Sequence, residues 1–162
     1  MADPLDELRE LAPPPADAPP EPDTGGLPAD YATLARTYGT GGFGGFLWLL
    51  IPGADNPNLE LGRQTELRRQ DLREVRDDGE ALPYEPDDLL PWAITDNGDT
   101  LYWRTDAGGP DAWTVTINEG RGPDWHDFDG SATAFLASWM AGREHPSVFP
   151  DDVPDGSGFT PA

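Results

Sequence analysis

The residues best suited to chemistry lie in one short stretch, Asp124-Trp125-His126-Asp127-Phe128-Asp129-Gly130, where an imidazole stands among carboxylates. Such a set could ligate a transition metal or move a proton, although a lone histidine more commonly plays a structural part. A calcium loop of the EF-hand type needs acids at alternate positions before its glycine and a Glu at its last position, and Trp125 and Leu136 occupy the first and last of those places. That excludes an EF-hand. His145, at the head of the C-terminal tail, suggests no partner. Gly39-Thr40-Gly41-Gly42-Phe43-Gly44 matches a dinucleotide-binding glycine pattern by letter, but such a loop must follow a strand and open a helix, and here the order is reversed. The acid pairs Asp77-Asp78, Asp87-Asp88 and Asp151-Asp152 could act as acid and base, yet nothing in their spacing puts two carboxylates in one desolvated cleft. Ser131 is best explained as a helix cap, which leaves no set of nucleophile, base and orienting group. The expectation is a protein without catalytic residues, cofactor or metal.

Charge points elsewhere. The 162 residues hold 31 Asp and Glu against 10 Arg and no Lys, a formal charge of -21. Arg63, Arg68, Arg69, Arg73 and Arg76 cluster among Glu66, Asp71 and Glu74 at helical spacing, as in an exposed helix laced by ion pairs rather than a phosphate-binding patch. Direct binding to nucleic acid or to an anionic membrane is disfavoured by the field of the whole chain, and a basic partner is favoured. Solubility alone is the plainer account of the same charge. The absence of cysteine removes disulfides, thiolate nucleophiles and thiolate metal sites. An acidic opening at Met1-Ala2-Asp3-Pro4, and a longest apolar run of only Phe46 to Ile51, predict a soluble cytoplasmic protein.

These residues need elements to position them. Residues 1–24, rich in Pro and acids, predict a disordered segment, with Leu5, Leu8 and Leu11 spaced for a short helix at its start. Residues 25–145 predict one α+β domain, and residues 146–162 an irregular tail. In the domain, Tyr31, Leu34, Ala35 and Tyr38 form a helical stripe ended by Gly39; Gly39 to Gly45 reads as a flexible connector, and Phe46 to Ile51 as a buried strand. Gln64 to Asp78 predicts a mostly exposed helix carrying Leu67, Leu72 and Val75. Residues 92–118 alternate with period two about Asn97-Gly98, a turn dipeptide in which both central positions adopt positive φ, and so predict an antiparallel meander. Ser131 then caps a helix with Phe135, Leu136, Trp139 and Met140 on one stripe. Trp92, Trp103, Trp113 and Trp125 could instead line a pocket on one sheet face, in a small-ligand-binding module or an enzyme.

Several of these pieces in order resemble the SUKH superfamily of bacterial immunity proteins, related to yeast cell-wall regulators of the Smi/Knr type. The resemblance rests on Leu27-Pro28-Ala29-Asp30-Tyr31, Tyr38-Gly39-Thr40-Gly41 with Phe43, the strand Phe46 to Ile51, Leu90-Pro91-Trp92 through Asn97-Gly98-Asp99, Leu101-Tyr102-Trp103, Trp113-Thr114-Val115, and Phe128-Asp129-Gly130-Ser131 leading to Trp139. It covers residues 27–142. It implies a non-enzymatic scaffold that binds and neutralises a toxin domain, in many members a nuclease, in conflict between bacteria. A scaffold or signalling role, as in the yeast relatives, is the alternative it leaves. The family varies its binding faces, so no site residue is carried over by motif. From charge and placement, Glu119, Asp124, Asp127 and Asp129 are expected to rim a solvent-facing loop that contacts the partner, with Trp125 as its aromatic anchor or tucked beneath it.

Overall fold

The computed structural model describes residues 3–106 and 108–162. Helix α2 covers Ala29–Tyr38, and the four stripe residues Tyr31, Leu34, Ala35 and Tyr38 are all buried. Gly39 leaves the helix at φ 72°, a region that glycine enters without steric cost. The expected meander is present as β3 (Leu89–Thr95), β4 (Thr100–Arg104) and β5 (Thr114–Asn118), paired antiparallel. Its first turn differs from expectation. Only Gly98 has positive φ, at 85°, while the Gly98 N–H donates to the Thr95 carbonyl (3.0 Å) and the Thr95 N–H to the Asp99 carbonyl (3.0 Å). The loop is therefore three residues long and ends in a left-handed glycine, another connection that matches strand twist.

The sheet is larger than the sequence indicated. Seven antiparallel strands run in the order β6-β5-β4-β3-β2-β1-β7, with β1 at Gly41–Phe43, β2 at Leu47–Leu49, β6 at Trp125–Phe128 and β7 at Phe159–Pro161. The glycine-rich connector is thus partly a strand. Gly41 and Gly42 are required there because a side chain on Gly41 would lie 2.3 Å from the Phe159 ring and one on Gly42 would lie 3.0 Å from the Trp48 indole. The glycine pattern follows helix α2 and opens strand β1, the order opposite to a dinucleotide loop.

Both chain ends depart from the expected boundaries. Residues 1 and 2 of the N-terminal segment lie outside the described residues, but Pro4–Leu11 forms helix α1, capped by the Asp3 carboxylate, which accepts from the Leu5 N–H at 2.8 Å. Leu8 is fully buried, the Tyr38 hydroxyl donates to the Ala12 carbonyl at 2.7 Å, and Arg143 grips the Glu7 carboxylate with two hydrogen bonds of 2.7 and 2.6 Å. One apolar residue in the right place docks a helix that composition alone marks as unable to bury surface. At the other end Phe149 enters the core, and β7 closes the sheet beside β1 with Phe159 packed against Tyr38 and Phe43.

One face of the sheet packs on α1, α2 and α4 (Ala132–Met140). There Trp92 stacks near Trp103, Tyr31 meets Trp103 edge-on at 4.9 Å, and Trp139 packs on Phe149 and Phe46. Ser131 caps α4 as expected, accepting from the Ala134 N–H. The other face carries helix α3, Leu61–Asp77, over a small second cluster of Leu72, Leu89 and Tyr102. The helix is mostly exposed, as expected: of Leu67, Leu72 and Val75 only Leu72 is buried, and Leu67 faces solvent. The α3 arginines also behave differently from expectation. Arg73 and Arg76 pair with Asp87 and Glu85, and Arg69 donates to the Leu89 and Asp87 carbonyls, so they tie the helix to the loop before β3 instead of pairing along the helix.

Candidate functional site

The middle of the stretch from Asp124 to Gly130 is a strand, not a loop, while Asp124, Asp129 and Gly130 flank it. Trp125 to Phe128 pair with Asn118 to Val115 as β6, the outermost strand at one edge of the sheet. Alternation along a strand then sorts the side chains. His126 and Phe128 point to the face of α4, where the His126 Nε2 lies 2.6 Å from the Glu144 carboxylate and Phe128 packs on Phe135. Trp125 and Asp127 point to the face of α3. Among the described residues no three His, Asp or Glu side chains converge as a metal site. His145 lies 3.7 Å from Asp151, a partner the sequence did not indicate.

On the α3 face Trp125 is half-buried and stacked on Tyr102, with ring centres 6.1 Å apart, and Tyr84 meets its edge at 5.9 Å. It is packed beside its strand rather than projecting from a loop. The Asp127 carboxylate accepts hydrogen bonds from the Thr116 hydroxyl and the Tyr84 hydroxyl, both at 2.7 Å. Desolvation, reinforced by that carboxylate, pushes the Tyr84 hydroxyl above its ordinary pKa, so it stays a donor. Arg104 lies over the same ring at 4.4 Å. Asp127 is therefore held in place. Asp124 and Asp129 are exposed and Glu119 half-exposed, and among the described residues their carboxylates accept no hydrogen bond. The five expected site residues are strung along the β6 edge, with Glu119 and Asp124 closing the β5–β6 loop at one end through a hydrogen bond from the Glu119 N–H to the Asp124 carbonyl at 2.9 Å, and Asp129 just past the other end of the strand.

Beside this edge, a half-open cavity of about 360 Å³ separates α3 from the ends of β4 and β5. Arg68 and Asp71 come from α3, Thr100 and Tyr102 from β4, and Glu119 and Arg121 from the β5–β6 loop. Arg68 Nε is buried and has no hydrogen-bond partner among the described residues, and burial pushes the Tyr102 hydroxyl far above its usual range. The loop is anchored by the buried Asp99, which accepts from the Thr95 hydroxyl and from the Gly120 N–H, each at 2.8 Å. Asp99 thus ties the hairpin turn to the acidic loop.

Sequence reasoning missed Tyr84, Tyr102 and Thr116. Tyr102 carried a signal, because Leu101-Tyr102-Trp103 is apolar at consecutive positions, as in a strand covered on both faces. Tyr84 lies between Pro83 and Glu85 in a segment without periodicity. The grouping of four Trp is overturned: Trp92 and Trp103 are fully buried, Trp113 leans on Trp103 within the same core, and Trp125 lies on the opposite face. Charge is unevenly matched on the surface as a whole. Among the described residues only Glu7, Glu21, Glu85, Asp87 and Asp106 pair with an Arg, out of 31 acids. Among the described residues no helix is long and apolar enough to cross a membrane. Comparison with protein-family models, with curated proteins and with solved structures gives no match.

Proposed function

We propose that the protein binds and neutralises a basic toxin domain, the role that its resemblance to SUKH immunity proteins implies, and that the acidic end of the sheet around β6 makes the contact. The observation that carries this proposal is the gathering of Glu119, Asp124, Asp127 and Asp129 at one sheet edge, three of them without an intramolecular partner among the described residues. A field of that sign would draw in a nuclease whose cleft is positive in order to hold phosphate. The half-buried Trp125 and Tyr84 beside the acids supply the apolar contact from which short-range binding energy comes, since aromatic residues dominate such interfaces. The rigid supports of the loop, Asp99 and the Tyr84–Asp127–Thr116 hydrogen bonds, favour a contact made without large rearrangement.

The proposal is tested by titrating the purified chain against secreted nuclease toxin domains, beginning with any encoded in a gene that adjoins its own. One-to-one binding with loss of the toxin's activity is the expected result. Full activity of every domain tested in the presence of excess chain would overturn the proposal.

A further inference from the structure

The backbone at the β6 edge has two sides, and the hydrogen bond from the Glu119 N–H to the Asp124 carbonyl fixes which residues face outward. In an antiparallel ladder, bonded and non-bonded pairs alternate. Since 119 and 124 form a bonded pair, the bonded pairs that follow are Ile117 with His126 and Val115 with Phe128, and the non-bonded ones are Asn118 with Trp125 and Thr116 with Asp127. The same parity holds across the sheet, where the Thr95 N–H donates to the Asp99 carbonyl and the Thr105 N–H to the Asp88 carbonyl, leaving Thr100, Tyr102 and Arg104 to bond β5. The N–H and C=O groups of Trp125 and Asp127 therefore point away from the sheet, and among the described residues none has a backbone partner. The opposite edge strand, β7, is only three residues long and ends in Pro161, which has no N–H to offer.

We propose that β6 accepts an added antiparallel strand, an extended basic segment of the partner, through the main-chain groups of Trp125 and Asp127; this rests on the toxin-binding proposal above and specifies how the contact is made. Strand addition of this kind takes affinity from the backbone and selectivity from alternate side chains. The side chains flanking the open edge on the α3 face are Trp125 and Asp127, so an incoming strand that places an arginine opposite Asp127 and another across the Trp125 ring satisfies both. A second copy of the chain is the wrong occupant, because antiparallel pairing of β6 with itself would bring the Asp124, Asp127 and Asp129 carboxylates of both copies along one seam with no basic residue of β6 to offset them but His126. Edge strands are normally blunted by charge. Here the blunting charges are of one sign, which repels like edges and selects basic ones.

The experiment uses the unaltered chain and two short synthetic peptides of alternating arginine and valine with blocked ends, one of them N-methylated at every second residue so that it keeps its charge but loses one row of main-chain donors. Amide hydrogen exchange is followed by NMR. The unmethylated peptide is expected to slow exchange at Trp125 and Asp127 by about tenfold or more while leaving the already bonded His126 and Phe128 amides unchanged. The methylated peptide is expected to bind about tenfold more weakly. Equal binding of the two peptides, with no protection at Trp125 and Asp127, would overturn strand addition while leaving acidic capture of a basic partner standing. Binding of neither peptide at low salt would overturn both. Protection of the two amides in the free chain, accompanied by a dimer in sedimentation, would assign the edge to self-pairing and overturn the proposal.

Discussion

The two faces of the sheet are made by the same strands, yet one is sealed and the other is open at its rim. On the face of α1, α2 and α4, Trp92, Trp103, Trp139, Phe135 and Tyr31 lie at or near zero exposure. On the face of α3, the buried cluster is Leu72, Leu89 and Tyr102, and around it stand Tyr84, Trp125, Asp127 and a polar cavity. The cause is coverage. Helices α2 and α4, with α1 laid against α4, shelter one face, while α3 packs on β3 near the middle of the other and a cavity separates it from the ends of β4 and β5. A sheet with one deeply packed face has the stability to leave polar and aromatic groups exposed on the other, which is the arrangement a recognition surface needs.

If that contrast is right, substitutions of the same residue type should separate sharply by face. Trp139→Ala is expected to cost about 3 to 5 kcal/mol, because a fully buried indole leaves a cavity among Phe46, Phe149 and α4. Trp125→Ala, on the open face, is expected to cost about 1 kcal/mol. Chemical denaturation of both variants checks the difference, and equal losses would erase the distinction between the faces.

The next largest effect concerns α1. Leu8→Ala is expected to cost about 2 to 5 kcal/mol, with deletion of residues 3–12 at least as severe, because Leu8 is fully buried and Ala12 receives the Tyr38 hydroxyl. A deletion that leaves the melting temperature unchanged would return α1 to the status of a loose appendage.

A smaller effect should sharpen the role of α3. The Glu60 carboxylate accepts from the N–H groups of Gly53, Gly62 and Arg63, which hold its pKa below the ordinary 4.5. A carboxyl group depressed in the folded state contributes stability above its unfolded pKa and loses it as pH falls through the folded value. Glu60→Gln is therefore expected to cost about 0.5 to 1 kcal/mol at neutral pH, with the difference from the parent shrinking as the solution is acidified below 4.5. Melting curves at a series of pH values read this directly, and a difference that grows on acidification would contradict it.

How much of this was visible in the sequence depends on which forces set each part. The stripe from Tyr31 to Tyr38, the Ser131 cap and the Asn97-Gly98 hairpin are local patterns, and each lies where its spacing places it. The class, α+β with an antiparallel sheet, follows from them. Strands β1 and β7 were hidden because each is three residues long, and one is mostly glycine; their pairing depends on Phe159 meeting Gly41 across more than a hundred residues of chain. Helix α1 lies where the spacing of Leu5, Leu8 and Leu11 places a short helix, but its docking was hidden by composition, since a Pro-rich acidic segment looks unable to pack until Leu8 finds a pocket. At the candidate site, sequence placed the five residues together but assigned them to a loop. Trp125-His126-Asp127-Phe128 alternates in a way compatible with a strand, and only the pairing with β5 decides it. The supporting residues Tyr84 and Thr116 were beyond reach because they approach Asp127 only through the fold.

The central claim is that the open, acidic edge captures a basic partner by long-range attraction followed by short-range packing. Stopped-flow association of the chain with a basic toxin domain that it neutralises, over a range of ionic strength, measures the first step alone. The rate constant is expected to fall about tenfold or more from low to high salt while dissociation changes little, and joint replacement of Glu119, Asp124, Asp127 and Asp129 by their amides is expected to reproduce most of that fall at low salt. Association rates indifferent to both salt and the four substitutions would contradict the claim and remove the β6 edge from the mechanism.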